Sequence, residues 1–181
     1  MAKSNVQLRY GELEKLKKQI EQFGEPEQVN QFLTSCAKEL AARLLAKVIK
    51  RTPVGDYSTE IEVTAKRDSK KHKKGDVYTK KVNLSGKTGG TLRRGWTGGE
   101  NVNATAYANS LNVTKQGTDY VIDIINPVEY ASYVEFGHRT RSHKGWVEGK
   151  FMLTISEDEI KRSAPRILEK KLEKYLKECF Q

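Results

Sequence analysis

The hydrophobic positions of this chain follow helical spacing at both ends and two-residue alternation between them. Leu13, Leu16, Ile20 and Phe23 recur in a 3-4-3 rhythm, which predicts a thinly striped helix from Val6 to Phe23, a helical arm within residues 1–25. Gly24-Glu-Pro26 ends it. From Pro26 to Arg51, Phe32, Cys36, Leu40, Leu44 and Val48 recur every four residues, and Leu33, Ala37, Ala41, Leu45 and Ile49 widen the stripe. A face this broad is expected to pack on a sheet. Thr52-Pro53 stops the helix, because the residue before a proline disfavours the α region.

The rhythm then changes. Tyr57, Thr59, Ile61 and Val63 alternate with Ser58, Glu60, Glu62 and Thr64, the pattern of a half-buried strand. Asp76 to Leu84, with Val77, Tyr78, Val82 and Leu84 apolar, supplies a partner, so Ile61 to Leu84 reads as a β-hairpin. Gly86 to Gly99 holds six of the 14 glycines, a density that favours an open loop in which Leu92-Arg-Arg-Gly-Trp96 is a local anchor. Thr105 to Val113 and Asp119 to Asn126 are expected as two strands joined by a turn at Gly117, the second apolar on both faces through Val121, Ile122, Ile124 and Ile125. Val128 to Phe136 reads as a short helix started by Pro127 and closed by Gly137. A polar, basic loop around Trp146 follows, then Phe151-Met-Leu153 as a docking segment. Ser156-Glu-Asp-Glu159 has the form of a capping box opening a long C-terminal helix, with a kink or restart expected at Pro165.

Composition adds a partner class. Lysine and arginine exceed aspartate and glutamate by 33 − 23 = +10 over 181 residues, which favours polyanions through counterion release. Residues 66 to 81 alone hold eight Lys/Arg against two Asp, +6 of that total, so the charge collects on the hairpin. Lys66, Arg67, Lys70, Lys71, Lys73 and Lys74 are candidate contacts for nucleic acid, with Tyr57 or Tyr78 nearby for stacking. The other reading of such a run is a solvated loop.

The remaining chemistry is thin. Gly86-Lys87-Thr88 matches only the tail of a P-loop, since Lys81 stands where a glycine is needed. His138 and His143 sit among Arg139 and Arg141, which oppose a cation, and two ligands make no zinc site. Cys36 and Cys179 lie on apolar helix faces, the setting of inert thiols rather than of a nucleophile or a disulfide. Glu157, Asp158 and Glu159 read as helix N-terminal charges. No cofactor and no catalytic residue is expected. The N-terminus has no apolar export segment, and Leu40 to Ile49 is broken by Arg43 and Lys47, so a cytosolic chain without a membrane span is expected and the sequons at Asn83, Asn103 and Asn112 carry no meaning. Trp96 and Trp146 stand in glycine- and Lys/Arg-rich loops. Each either plugs the chain's own core or anchors a neighbouring subunit.

One ordered set of segments points further: Arg51-Thr-Pro-Val54; Gly90-Thr-Leu-Arg-Arg-Gly-Trp96; a strand ending in Asn126; Tyr130-Ala-Ser-Tyr-Val-Glu-Phe-Gly137; and Phe151-Met before a long helix. It resembles the tail-completion, or head–tail joining, proteins of long-tailed bacteriophages and prophages, a minor tail-component family, over about Phe32 to Phe180. In that family Thr-Pro-Val leads within a few residues to the Gly-x-Leu segment. Here residues 57–87 intervene, so the basic hairpin is an elaboration.

The resemblance implies an α+β fold: a small antiparallel sheet packed against the long N-terminal-half helix and the C-terminal helix, in one domain over residues 26–181. It implies a structural virion protein at the tail–neck region, assembled in the host cytoplasm. Such a protein forms a ring, usually of six copies, that docks to the tail tube or terminator and to the head connector. Leu92, Arg93, Arg94 and Trp96 are expected on one side of a subunit boundary, with Tyr130, Glu135, Phe136, Gly137 and the Trp146 loop facing it or the neighbouring ring. The competing class is a nucleic-acid-binding module built on the lysine-rich hairpin. An enzyme acting on an acidic polymer would need a carboxylate or histidine in a cleft, and the sequence singles out none.

Overall fold

The computed structural model describes residues 5–7, 14, 17 and 25–179, without the side chains of 5–7 and 179. The chain divides into two compact units, residues 1–52 with 92–181, and residues 53–91.

The first unit is organised by two long helices. Helix α1 (Pro26–Arg51) begins with proline in its first turn, where a missing N–H is harmless, and ends at Thr52 before Pro53. It buries Val29, Phe32, Leu33, Cys36, Ala37, Leu40, Ala41, Leu44, Leu45 and Val48, so the four-residue recurrence is a core face. Each fully buried leucine contributes about 1.5–3 kcal/mol relative to exposure. Helix α5 (Met152–Cys179) lies antiparallel to it: the Phe32 and Tyr175 rings are 4.5 Å apart at one end, while Arg51 reaches Ser156 and Glu159 at the other. Met152, Leu153, Ile160, Ala164 and Leu168 complete the interface. Salt bridges flank it, Glu159 to Lys47 and Arg51, and Glu39 to Lys171 and Arg43. All are partly exposed and contribute of order 0–1 kcal/mol each.

Between the long helices come α2 (Thr91–Gly95), α3 (Ala104–Ser110), α4 (Ala131–Phe136) and short strands. Strand β1 (Asn5–Gln7) pairs antiparallel with β6 (Asp123–Ile125), β4 (Thr114–Gln116) with β5 (Asp119–Val121), and β7 (Gly137–Arg139) with β8 (Trp146–Glu148). Tyr120, Ile122 and Ile124 carry the sheet residues into the helical core. The class is α+β, but the sheet is divided into two-stranded pieces.

Several sequence expectations change. Val6 belongs to a strand, not to a helix; the rest of the expected N-terminal helix lies outside the described residues apart from Glu14 and Lys17, both helical. Thr105 to Ser110 is helical because the Asn103 side chain accepts from Ala106 N at 2.8 Å, and Ala104, Tyr107, Ala108 and Leu111 then face the core at helical spacing. The span from Asp119 to Asn126 breaks at Ile122, its halves pairing with different strands. The glycine-rich stretch contains α2, and the Trp146 loop is a short hairpin. Helix α5 starts at Met152 and runs unbroken through Pro165. Ser156 is therefore no cap. It lies one turn inside, donates to Met152 O and accepts from Arg51.

The second unit is a ribbon, β2 (Thr59–Thr64) against β3 (Val77–Val82), in register from Thr59↔Val82 to Thr64↔Val77. Ile61, Val63, Tyr78 and Val82 are only half-buried.

Two outcomes are expected. Leu44→Ala, at a fully buried position, lowers unfolding stability by about 2–5 kcal/mol in urea titration, whereas Arg43→Ala changes it by no more than about 1 kcal/mol. The second concerns pH. Burial acts to raise the Glu39 carboxyl, but hydrogen bonds from Arg43 and Lys171 overcome it and hold it below its ordinary 4.5; the Lys47 hydrogen bond lowers Glu159 likewise. A carboxyl lowered on folding stabilises above its unfolded value and loses that contribution as pH falls through the folded one. The thermal midpoint of the Glu39→Gln/Glu159→Gln protein therefore falls less below pH 4.5 than that of the wild type. Parallel curves would refute the linkage.

Candidate functional site

The Arg51-Thr-Pro and Leu-Arg-Arg-Gly-Trp segments form, in the folded chain, one internal joint. Thr52 is fully buried at the end of α1. Its N–H and its hydroxyl both donate to Val48 O, at 2.8 and 2.6 Å. The hydroxyl oxygen accepts from Trp96 Nε1 at 2.8 Å, and the carbonyl accepts from Arg93 Nε and Nη2 at 3.1 and 2.6 Å. Trp96 is 2% exposed, so it plugs its own core. Asn126 locks the other side, donating from Nδ2 to Leu92 O and accepting from Val128 N. Only glycine fits at position 95, because a Cβ there would stand 2.2 Å from Asn126 Oδ1.

A second joint holds the start of α5. Glu135 is 3% exposed, yet its carboxylate accepts from Leu153 N at 3.0 Å, Thr154 N at 2.9 Å and the Thr154 hydroxyl at 2.8 Å. It thus caps a 28-residue helix from another element, where unpaired N–H groups and the helix dipole both favour a negative charge. Backbone bonds run in parallel, Lys150 N to Val134 O and Phe151 N to Glu135 O. Gly137 has φ 85°, and a Cβ there would meet Val147 O at 2.5 Å. A Cβ on Gly149 would meet Glu135 O at 2.2 Å. The Val-Glu-Phe-Gly segment is shaped by these close approaches.

The sequence-derived interface residues therefore separate. Leu92, Trp96 and Glu135 are buried, Arg93 is half-buried on Thr52, and Gly137 is half-buried under the hairpin. Arg94, Tyr130, Phe136 and Trp146 remain exposed. Around them the structure adds Tyr133, Val147, Phe151 and Ile155, each more than 40% exposed. Val147 belongs to the Trp146 loop and Phe151 to the expected docking segment; Tyr133 and Ile155 were not singled out from sequence, although Tyr130, Tyr133 and Phe136 at intervals of three mark one side of a helix. Apart from Arg94 on α2, the exposed set adjoins the second joint: the Tyr133 and His138 rings meet edge-on at 5.8 Å, His138 pairs with Val147, and Trp146 Nε1 lies over Gly137. Phe151 takes φ 46°, a left-handed conformation that costs an L-residue about 1–2 kcal/mol, and still turns its ring outward.

Chemical groups are not gathered in the same way. Burial pushes the Cys36 thiol up to about 12, which leaves it a core hydrophobe; the Cys179 side chain lies outside the description. Among the described residues, no group of three or more His, Cys, Asp or Glu is placed to hold a metal ion. The grooves along α1 and α5 are lined by Lys, Arg, Gln, Glu and Ser with Ala42, Ala46, Phe32 and Tyr175 among them. No described helix is long and apolar enough to cross a membrane.

Residues 14–137 match the family model described as "Bacteriophage HK97-gp10, putative tail-component". The chain belongs to this family of phage tail components. It is a structural family and not an enzyme family, and it suggests a location in the virion. The matched span holds both Thr52 and Glu135 with their motifs. It ends at Gly137, so the Trp146 hairpin and α5, which the sequence comparison included, lie beyond it. No curated protein and no solved structure matches the chain.

Replacing Glu135 by glutamine sets an amide donor against N–H donors, and we expect a loss of about 1.5–3 kcal/mol, the scale of hydrogen bonds to a charged group. Thr154→Val removes one bond and should cost about 1 kcal/mol. Amide exchange at Leu153 and Thr154 reads the effect directly; wild-type protection in Glu135→Gln would refute the capping role.

Proposed function

We propose that this tail component completes the phage tail and forms part of the head–tail junction, by assembling into a ring of like copies, six by the family resemblance, and docking to the tail tube or terminator and the head connector. The observation that carries the reading is the outward aromatic and aliphatic surface from Tyr130 to Ile155 on elements fixed by Glu135 and Gly137. Large exposed apolar patches on a chain otherwise rich in charge mark contact surfaces, and Tyr, Trp and Phe are the residues that carry contact energy. A surface held by rigid elements loses little entropy on association. In this reading Arg94, Tyr130, Phe136 and Trp146 reach the neighbouring copy, while Leu92, Arg93, Trp96, Glu135 and Gly137 act from within by holding those residues in place.

The test replaces Phe136 and Trp146 together by serine. Both are exposed, so the urea midpoint should stay within about 0.5 kcal/mol of wild type. Supplied to a phage lacking the gene, the variant should leave filled heads and unjoined tails in the lysate and reduce infectious titre by orders of magnitude. Normal joining with the folded double variant would overturn the assignment.

A further inference from the structure

We propose that the tip of the β2–β3 hairpin is a contact for the phosphate backbone of duplex DNA. The inference rests on the hairpin alone and is independent of the tail-junction reading.

The tip is a built turn rather than a slack lysine run. Ala65 N donates to Asp76 O and Gly75 N to Ala65 O, with Gly75 at φ 98°. Ser69 and His72 close an inner loop: Ser69 N donates to His72 O, and the Ser69 hydroxyl oxygen accepts from Lys71 N and His72 N. The decisive feature is where the acids point. Asp68 Oδ1 accepts from Lys74 N and Asp76 Oδ2 accepts from Lys73 N, each at 2.7 Å. Both carboxylates are spent on main-chain amides, and the side chains of Lys66, Arg67, Lys70, Lys71, Lys73 and Lys74 are all exposed.

The stem behaves in the opposite way. Glu60 and Glu62 on β2 face the β3 strand that carries Lys80 and Lys81, with Lys81 Nζ 3.7 Å from Glu60 Oε1. Charge on the stem is balanced across the ribbon, and the excess stands at the far end.

Three features favour duplex DNA over the other polyanions. No apolar side chain lies between Lys66 and Asp76, whereas a protein partner calls for an apolar interface centre and a lipid surface for an inserted hydrophobe. The one ring at the tip, His72, is stacked on Tyr78 at 4.0 Å and 9°, and so is already engaged, which disfavours base stacking on a single strand. A two-stranded ribbon also fits the major groove of a duplex, and lysines at its tip act as point charges on the phosphates that flank the groove.

The experiment compares full-length wild type, a tip variant (Lys70, Lys71, Lys73 and Lys74 to Gln) and a control variant with equal charge loss (Lys50, Lys115, Lys150 and Lys170 to Gln). Binding to two duplexes of unrelated sequence, to single-stranded DNA and to polyglutamate is followed across a salt series. The tip's main-chain bonds survive the change to Gln, so both variants should keep the wild-type urea midpoint. Wild type and control should bind both duplexes alike. The tip variant should lose about 3.6 from the slope of log K against log salt, at ~0.9 per phosphate contact for four lysines. Equal slopes in tip and control variants would show that only net charge matters and overturn the proposal, as would wild-type preference for polyglutamate or single-stranded DNA over duplex.

Discussion

Thr52 is the constraint on which the main unit depends. A helix that must stop leaves carbonyls unpaired and a chain direction to be set. Here one threonine does both. Its amide and hydroxyl satisfy Val48 O, its hydroxyl oxygen takes the only polar atom of Trp96, and its carbonyl takes the Arg93 fork. Valine would supply the volume and none of the bonds, and it would strand the indole N–H in a dry core, at a cost of about 1–3 kcal/mol. Because Trp96 is held there, α2 lies against the end of α1, and Asn126 can join α2 to the turn before α4. The order of the motifs along the chain is the order of contacts around one joint.

Glu135 extends the same logic towards the surface. A buried carboxylate is costly unless its lone pairs are met, and here the N-terminus of α5 meets them. Tyr133 and Phe136, two residues before and one after Glu135, are exposed beside it. Interior polar bonds thus hold an exterior apolar surface. That coupling explains how short buried motifs can shape an exposed surface without lying on it.

What could be read from sequence follows from how local each determinant is. The recurrence from Phe32 to Val48, the alternation from Thr59 to Val63 and the glycine at 137 are each set by neighbours within a few residues, and the structure has the corresponding helix, ribbon and left-handed turn. Residues 105–110 misled because Thr-Ala-Tyr-Ala alternates like a strand, while the deciding signal, the Asn103 cap, sits outside that window. The role of Trp96 depends on a hydroxyl 44 positions away, and that of Glu135 on amides 18 and 19 positions away. No periodicity encodes such pairings. A glutamate between Val and Phe reads as a surface charge until its partners are known.

The hairpin shows why the first joint also permits elaboration. Its chain leaves the main unit after Thr52 and returns at Leu92, and the Arg93–Thr52 and Asn126–Leu92 bonds hold both ends of the excursion. With the ends fixed, lengthening the intervening chain costs only loop entropy, about 0.6 kcal/mol for each doubling. The ribbon meets part of that cost with its own register and the turn at its tip. An inserted segment of this kind alters neither the core nor the Glu135 cap. It can therefore carry nine Lys/Arg against five Asp/Glu over residues 53–91 while the exposed surface from Tyr130 to Ile155 stays as the two joints set it.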